Sequence, residues 1–205
     1  MGLYARYVLP RLINLAMQSG DLEAERRRLV PLARGRVIEI GFGSGLNLPF
    51  YTADVVRLAA VDPSAELWRL AQPRLARARI AVEFTNASAD RLPFRAHTFD
   101  TAVMTWTLCS IGDPAAALRE IRRVLVPTGR LLFVEHGRAP DAGVRAWQDR
   151  LTPGWRRLAG GCRLNREIDR LIAGAGFRMA DLAQAYGAGP RPFSYLYKGI
   201  AESGP

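Results

Sequence analysis

The sequence predicts an α/β fold, a doubly wound and mostly parallel sheet of seven strands with helices on both faces. Three observations carry that prediction. From residue 36 onward, strand-like and helix-like hydrophobic patterns alternate. A glycine loop, Gly41-Phe-Gly43-Ser-Gly45, follows the first of these strands. An acid, Asp62, closes the second, 21 residues beyond Gly41.

The first 35 residues read as two helices. Leu3, Tyr7, Leu9, Leu12, Ile13 and Ala16 form a helical stripe that Gly20 should end. Asp21 is the expected N-cap of a second helix, with Leu22, Leu29, Val30 and Leu32 on its apolar face. Short buried strands are expected over 37–40, 57–62, 81–85, 99–105 and 130–135. Helices are expected over 64–78 and 113–125. A helical insertion spans about 141–176, with Pro153 and Gly160-Gly161 as breaks. Two closing strands, 177–184 and 193–201, flank a Gly/Pro-rich turn. The expected division is a helical lid or extension over 1–35 and a main domain over 36–205.

Composition narrows the class. With 205 residues, 49% hydrophobic and 23% charged, the chain can bury a core without a disulfide framework or structural metal. Two cysteines, Cys109 and Cys162, are too few for a Cys-based zinc site, so no metal is expected. No run approaches the ~20 uncharged apolar residues of a membrane span, and the N-terminus shows no signal-peptide core. These features point to a cytoplasmic protein. The net charge of +10 raises nucleic acid as a partner, but 28 of the 29 basic residues are Arg, spread over helix surfaces. That spread makes nucleic acid unlikely.

The glycine loop sits at a strand end, where glycine permits tight turning and close approach of a ligand. Asp62 is placed to accept from a ribose diol. The dinucleotide fingerprint G-x-G-x-x-G does not fit, because the third glycine comes one place early. A phosphate-cradling lysine is missing too; the sole lysine is Lys198.

Glu39-x-Gly41-x-Gly43-x-Gly45, Val61-Asp62-Pro63-Ser64, Ala87-Ser88-Ala89-Asp90-Arg91-Leu92-Pro93-Phe94, Phe99-Asp100 and Leu125-x-Pro127-x-Gly129-Arg130-Leu131 follow in order. This series resembles the successive motifs of class I S-adenosylmethionine-dependent methyltransferases, in the methyltransferase type 11 group. The resemblance implies a Rossmann-like sheet with an antiparallel last strand. It assigns Gly41, Gly43 and Gly45 to the methionine and ribose parts of the cofactor, and Glu39 to the methionine amine or the loop. Asp62 would hold the ribose, with Pro63 and Ser64 against the adenine; Asn47 and Thr105 join the cofactor set. Ser88, Ala89 and Asp90 would meet the adenine edge. An acid often stands where Ser88 does, so Ala89 and Asp90 are the favoured adenine partners. The product would be S-adenosylhomocysteine.

The later motifs, among them Thr107-Leu-Cys109, Glu135-His136-Gly, Trp147-Gln148, Pro153-x-Trp155 and Cys162-x-Leu164-x-Arg166, resemble bacterial relatives of the eukaryotic thiol S-methyltransferases. On that resemblance His136 is the candidate catalytic group, or else a histidine tying its strand to the next loop. Cys109 is a candidate substrate wall, or a small buried hydrophobe. Trp106, Arg138, Trp147, Cys162 and Arg166 are the remaining substrate candidates, with Trp155 a further indole for the wall and Arg163 a further cation; core or helix packing is the alternative for the three indoles, and a small buried hydrophobe for Cys162. Glu135 is expected to be structural, paired with an arginine.

The expected function is methylation of a small molecule, foremost at a thiol sulfur. N-methylation of an aminophospholipid headgroup and methylation of a quinone ring are the alternatives within the enzyme class. A cofactor-binding RNA-associated module is the alternative outside it. The N-terminal stripe is either a lid over the cofactor, a peripheral membrane-surface helix, or packing.

Overall fold

The structure, a computed structural model, describes residues 4–204. Leu3 of the N-terminal stripe lies outside the described residues. Seven strands, β1 (Gly35–Ile40), β2 (Val55–Val61), β3 (Val82–Thr85), β4 (Phe99–Thr105), β5 (Leu125–His136), β6 (Arg178–Tyr186) and β7 (Tyr195–Glu202), form one sheet in the order β3-β2-β1-β4-β5-β7-β6. β1 pairs in parallel with β2 and β4, β2 with β3, and β4 with β5. β7 runs antiparallel to both β5 and β6. The doubly wound sheet with an antiparallel last strand is therefore present as expected.

Both faces of the central strands are buried, which is why they read as continuous apolar runs. Ile38, Ile40, Ala59, Val61, Ala102, Met104, Leu131 and Phe133 face one core. Val37, Leu58, Ala60, Val103, Leu132 and Val134 face the other, as the two-residue period of a strand requires. The first core is covered by α4 (Pro114–Val124) through Ala117, Leu118, Ile121 and Val124, and by Ile168 and Ile172 of α6 (Ile168–Gly174). The second is covered by Leu29 of α2 (Gly20–Leu29) and Ala71 of α3 (Ala65–Leu75). Ser64 caps α3 by accepting from Leu67 N–H, and Asp113 caps α4 by accepting from Ala116 N–H. Each such cap stabilises its helix by about 1 kcal/mol.

Several local expectations are corrected. The first helix, α1 (Leu9–Ala16), stops before Gly20, with Met17 at its C-cap. Asp21 is not an N-cap: α2 begins at Gly20 after Ser19, and Asp21 sits in its first turn, where a negative charge suits the helix dipole. Leu32 belongs to a short 3-10 turn and is exposed. Pro153 does not break the insertion. α5 runs unbroken over Ala142–Leu158, because tertiary anchoring outweighs one lost main-chain bond. Its Gln148 is buried, accepting from Ala139 N–H and donating to the Gly137 and Pro192 carbonyls. Phe193 falls in the short helix α7 (Arg191–Ser194) that precedes β7.

Candidate active site

The strand order reverses between β1 and β4, and a cleft opens at the carboxyl ends of the strands there, the usual ligand position in such sheets. Its volume is about 1090 Å³. That exceeds the roughly 300–1,000 Å³ of single-ligand sites, and leaves room for a nucleoside and a second molecule. α1 roofs it with Leu9, Pro10 and Ile13, and Arg26 of α2 enters from the same side.

The floor is built by the loop after β1. Gly41 and Gly43 both adopt positive φ, +73° and +57°. A Cβ on Gly41 would stand 2.1 Å from Thr107 Oγ1, whereas one on Gly43 would meet nothing nearer than 3.8 Å. Gly41 is therefore required for packing against the loop after β4, and Gly43 keeps the cleft open. Asp62 fastens this loop to β2. One carboxylate oxygen accepts from Gly43 N–H and the other from Ser64 N–H, each at 2.8 Å. Burial raises its pKa while those two bonds lower it. A carboxylate offers about four acceptor positions, so the pair of backbone bonds leaves lone pairs for a diol.

Below the loop lies a network that joins Glu39, Asn47 and Thr105 to Tyr51, which the sequence motifs do not contain. Glu39 is buried and accepts from Tyr51 O–H at 2.6 Å and from Asn47 Nδ2 at 2.9 Å. The Asn47 amide also donates to Thr105 Oγ1 at 3.1 Å, and its Oδ1 has no protein partner. Burial raises the Glu39 pKa to about 8, against those hydrogen bonds and the charge of Arg26. Arg26 is itself buried; its Nη1 donates to Met17 O, its guanidinium lies 4.7 Å from the Trp106 ring centroid, and burial lowers its pKa to about 10.

The opposite wall comes from the ends of β4 and β5. Trp106, directly after β4, holds φ +49°, a conformation rarely adopted outside glycine. The following turn is fixed from behind by Glu135, whose carboxylate accepts from Thr107, Leu108 and Cys109 N–H at 2.7, 2.9 and 3.2 Å. Glu135 thus holds three backbone amides rather than the expected arginine. Burial raises its pKa and the amides lower it. Cys109, His136 and Cys162 converge on this wall, with Cys162 Sγ 3.7 Å from His136 Nδ1. The hydrogen-bonding Cys109 sulfur and burial push the Cys162 thiol far above its ordinary pKa. Trp155 of α5 stands beside them, its indole N–H without a protein partner.

The fold brings together on the cleft wall Glu39, Gly41, Gly43, Asn47, Asp62, Pro63, Ser88, Ala89, Thr105, Trp106, Cys109, His136 and Cys162. Six sequence candidates stand elsewhere. Gly45 packs against Phe42 and Leu48 behind the loop. Asp90 is exposed and outside the cleft lining. Trp147 is exposed and borders a separate depression with Asp141 and Arg191. Arg138 is bound by Asp149 through two hydrogen bonds. Arg166 is buried behind the turn after β4, donating to the carbonyls of Leu108 and Ile111. Arg163 does not line the cleft either. Sequence reasoning misses Arg26 and Tyr51: a basic residue in a run of arginines and a tyrosine in a loop carry no local sign of burial.

Residues 38–133 match the family model described as a methyltransferase domain. Over those residues the chain resembles S-adenosylmethionine-dependent methyltransferases. Thiol S-methyltransferase TMT1B of Rattus norvegicus is 32% identical over 164 residues, which cover 78% of this chain and 65% of that protein. The chain thus spans just under two thirds of that relative. Demethylmenaquinone methyltransferase of Clavibacter sepedonicus is 31% identical over 62% of this chain and 51% of its own. Among solved structures, the Burkholderia thailandensis 1,6-didemethyltoxoflavin-N1-methyltransferase, solved with S-adenosylhomocysteine, superposes with TM-score 0.68 at 19% identity, covering 96% of this chain and 84% of that one. The cofactor of this methyltransferase fold is S-adenosylmethionine, and the cleft fits it. Glu39, the free Asn47 Oδ1 and Thr105 gather acceptors suited to an ammonium group, and Asp62 retains acceptor capacity for a ribose. No described helix is long and apolar enough to cross a membrane.

Proposed function

We propose that this methyltransferase transfers the methyl group of S-adenosylmethionine to the sulfur of a small, fairly apolar thiol. One observation carries the reading. The part of the cleft contributed by the segments from β4 onward is lined by Trp106, Ile111, Trp155 and Leu158 and, among the described residues, holds no carboxylate, lysine or arginine. Its ionisable groups are Cys109, His136 and Cys162. An amine or hydroxyl acceptor asks for a strong general base, whereas a thiol of pKa ~8.5 is already a few per cent thiolate at neutral pH.

S-adenosylmethionine supplies, when bound, an electrophilic methyl group on a sulfonium that leaves as a neutral thioether. The chain's own work is then positioning and exclusion of water. Glu39, Asn47 and Thr105 orient the methionine end. Asp62 holds the ribose, with Pro63, Ser64, Ser88 and Ala89 around the adenine. Glu135 and Arg166 act as positioning residues, fixing the turn that carries Trp106 and Cys109. His136 accepts the acceptor proton where one must be moved. The N-terminal extension serves as a lid, since α1 supplies the roof; the exposed Tyr7, just before α1, and Leu15 within it also suit peripheral contact with a membrane surface.

The quinone-methylating relative supports a second reading, methylation of a reduced quinone in the same apolar half. Labelled S-adenosylmethionine, offered with an aryl thiol, a demethylated hydroquinone and aminophospholipid vesicles in parallel, separates them. Labelled thioether is expected; label in the hydroquinone alone would replace the thiol reading by the second.

A further inference from the structure

We propose that Cys109, His136 and Cys162 form a binding site for a thiophilic divalent cation, Zn²⁺ foremost. The fourth coordination position would be open to the cleft and, on the thiol reading above, taken by the acceptor sulfur. The three residues come from separate elements: the turn after β4, the end of β5 and the segment after α5. Their ligand atoms nevertheless all lie within 4.8 Å of one another. A tetrahedral centre with Zn–S of about 2.3 Å and Zn–N of about 2.0 Å spaces its ligand atoms about 3.5–3.8 Å apart. Cys162 Sγ and His136 Nδ1, at 3.7 Å, already stand at that spacing. Only small side-chain adjustments would complete the triangle.

The donor set selects the ion. Two soft sulfurs and an imidazole suit Zn²⁺ over the oxygen-seeking Mg²⁺ and Ca²⁺. Three protein ligands with one free position is also the pattern of catalytic rather than structural zinc. Charge supports the site as well. Two thiolates balance one dication, so the filled site is neutral in a buried place where either thiolate alone would be costly. Binding releases the two thiol protons. An acceptor thiol entering the fourth position would lose its own proton to solvent through the open cleft, since a metal-bound His136 could not accept it. It would take its methyl group from the sulfonium of S-adenosylmethionine, which departs as S-adenosylhomocysteine, and leave as a neutral thioether, a far weaker ligand.

The experiment uses the reduced, metal-free full chain and neither cofactor nor acceptor. Co²⁺ is added as a spectroscopic substitute, and iodoacetamide labelling of each cysteine is mapped by mass spectrometry with and without Zn²⁺. The expected result is the visible spectrum of tetrahedral Co²⁺ with thiolate charge transfer, saturating at one ion per chain. Zn²⁺ should slow alkylation of both cysteines by about tenfold or more. Addition of a small thiol should then shift the Co²⁺ spectrum. The band should vanish in Cys162→Ser; should that variant fail to fold, the alkylation measurement on the unmodified chain decides. No thiolate band together with unprotected cysteines would overturn the site, and an unchanged spectrum on adding thiol would overturn its open position. Thiol methylation by a chain that binds no metal would sink this inference and spare the function; metal binding without thiol methylation would do the reverse.

Discussion

The carboxylate of Asp62 accepts the Gly43 N–H at 2.8 Å, so the acid at the end of β2 holds the glycine loop at the end of β1. Its other oxygen holds Ser64 N–H at the start of α3. One side chain thereby fixes both backbone segments that face a nucleoside.

Asp62→Ala should weaken S-adenosylhomocysteine binding by about 1.5–3 kcal/mol, roughly 10- to 150-fold, the range for losing hydrogen bonds to a charged group. Calorimetry measures it. Unchanged affinity would take Asp62 out of the site.

Two glycine substitutions in the same loop should separate. Gly41→Ala drives a methyl into Thr107 at positive φ, and should cost about 2–5 kcal/mol of stability from strain and overpacking. Gly43→Ala has space and should cost about 1–2 kcal/mol. Its methyl stands in the cleft, however, and should lower S-adenosylhomocysteine affinity at least about tenfold by blocking close approach to the backbone. Urea unfolding alongside calorimetry checks both, and equal stability losses would contradict the packing described.

The approximate strand positions, and the placing of the glycine loop and Asp62 at the ends of their strands, are legible in the amino-acid sequence, because each depends on residues near one another along the chain. Where a side chain points, and what meets it across the fold, is not. Arg138 and Arg166 read as cations for a thiolate, yet one is held by Asp149 and the other by the carbonyls of Leu108 and Ile111. Cys162 and His136 meet across 26 positions of chain, and Tyr51 reaches Glu39 from a loop. Pro153 reads as a break because helix propensity is local, while the burial of Gln148 that keeps α5 whole is not.

Cofactor affinity should depend on pH through Glu39. With its pKa raised to about 8, this carboxyl is mostly protonated at pH 7 and must ionise to receive an ammonium group. S-adenosylhomocysteine should therefore bind more tightly as pH rises toward 8, by up to about tenfold per unit, with proton release on binding. Calorimetry in buffers of different ionisation enthalpy reads the released proton. Glu39→Gln should flatten the profile; an identical slope in that variant would assign the proton to another group.

The roof should respond to the ligand. Leu9, Pro10 and Ile13 line the cleft from α1, so saturating S-adenosylhomocysteine should slow amide exchange over residues 9–16. At a hundredfold excess over Kd, opening that requires ligand release is opposed by about 2.7 kcal/mol. Slowing confined to the glycine loop, with α1 unaffected, would reject the lid.

The most direct test of the account is a single turnover. Chain preloaded with S-adenosylmethionine carrying a labelled methyl group is mixed with an aryl thiol or with its hydroxyl analogue, and the products are read by mass spectrometry. The account predicts stoichiometric transfer of label to the thiol sulfur, with little transfer to the hydroxyl compound. Retention of label on the bound cofactor in the presence of thiol, or comparable transfer to the hydroxyl analogue, would contradict it.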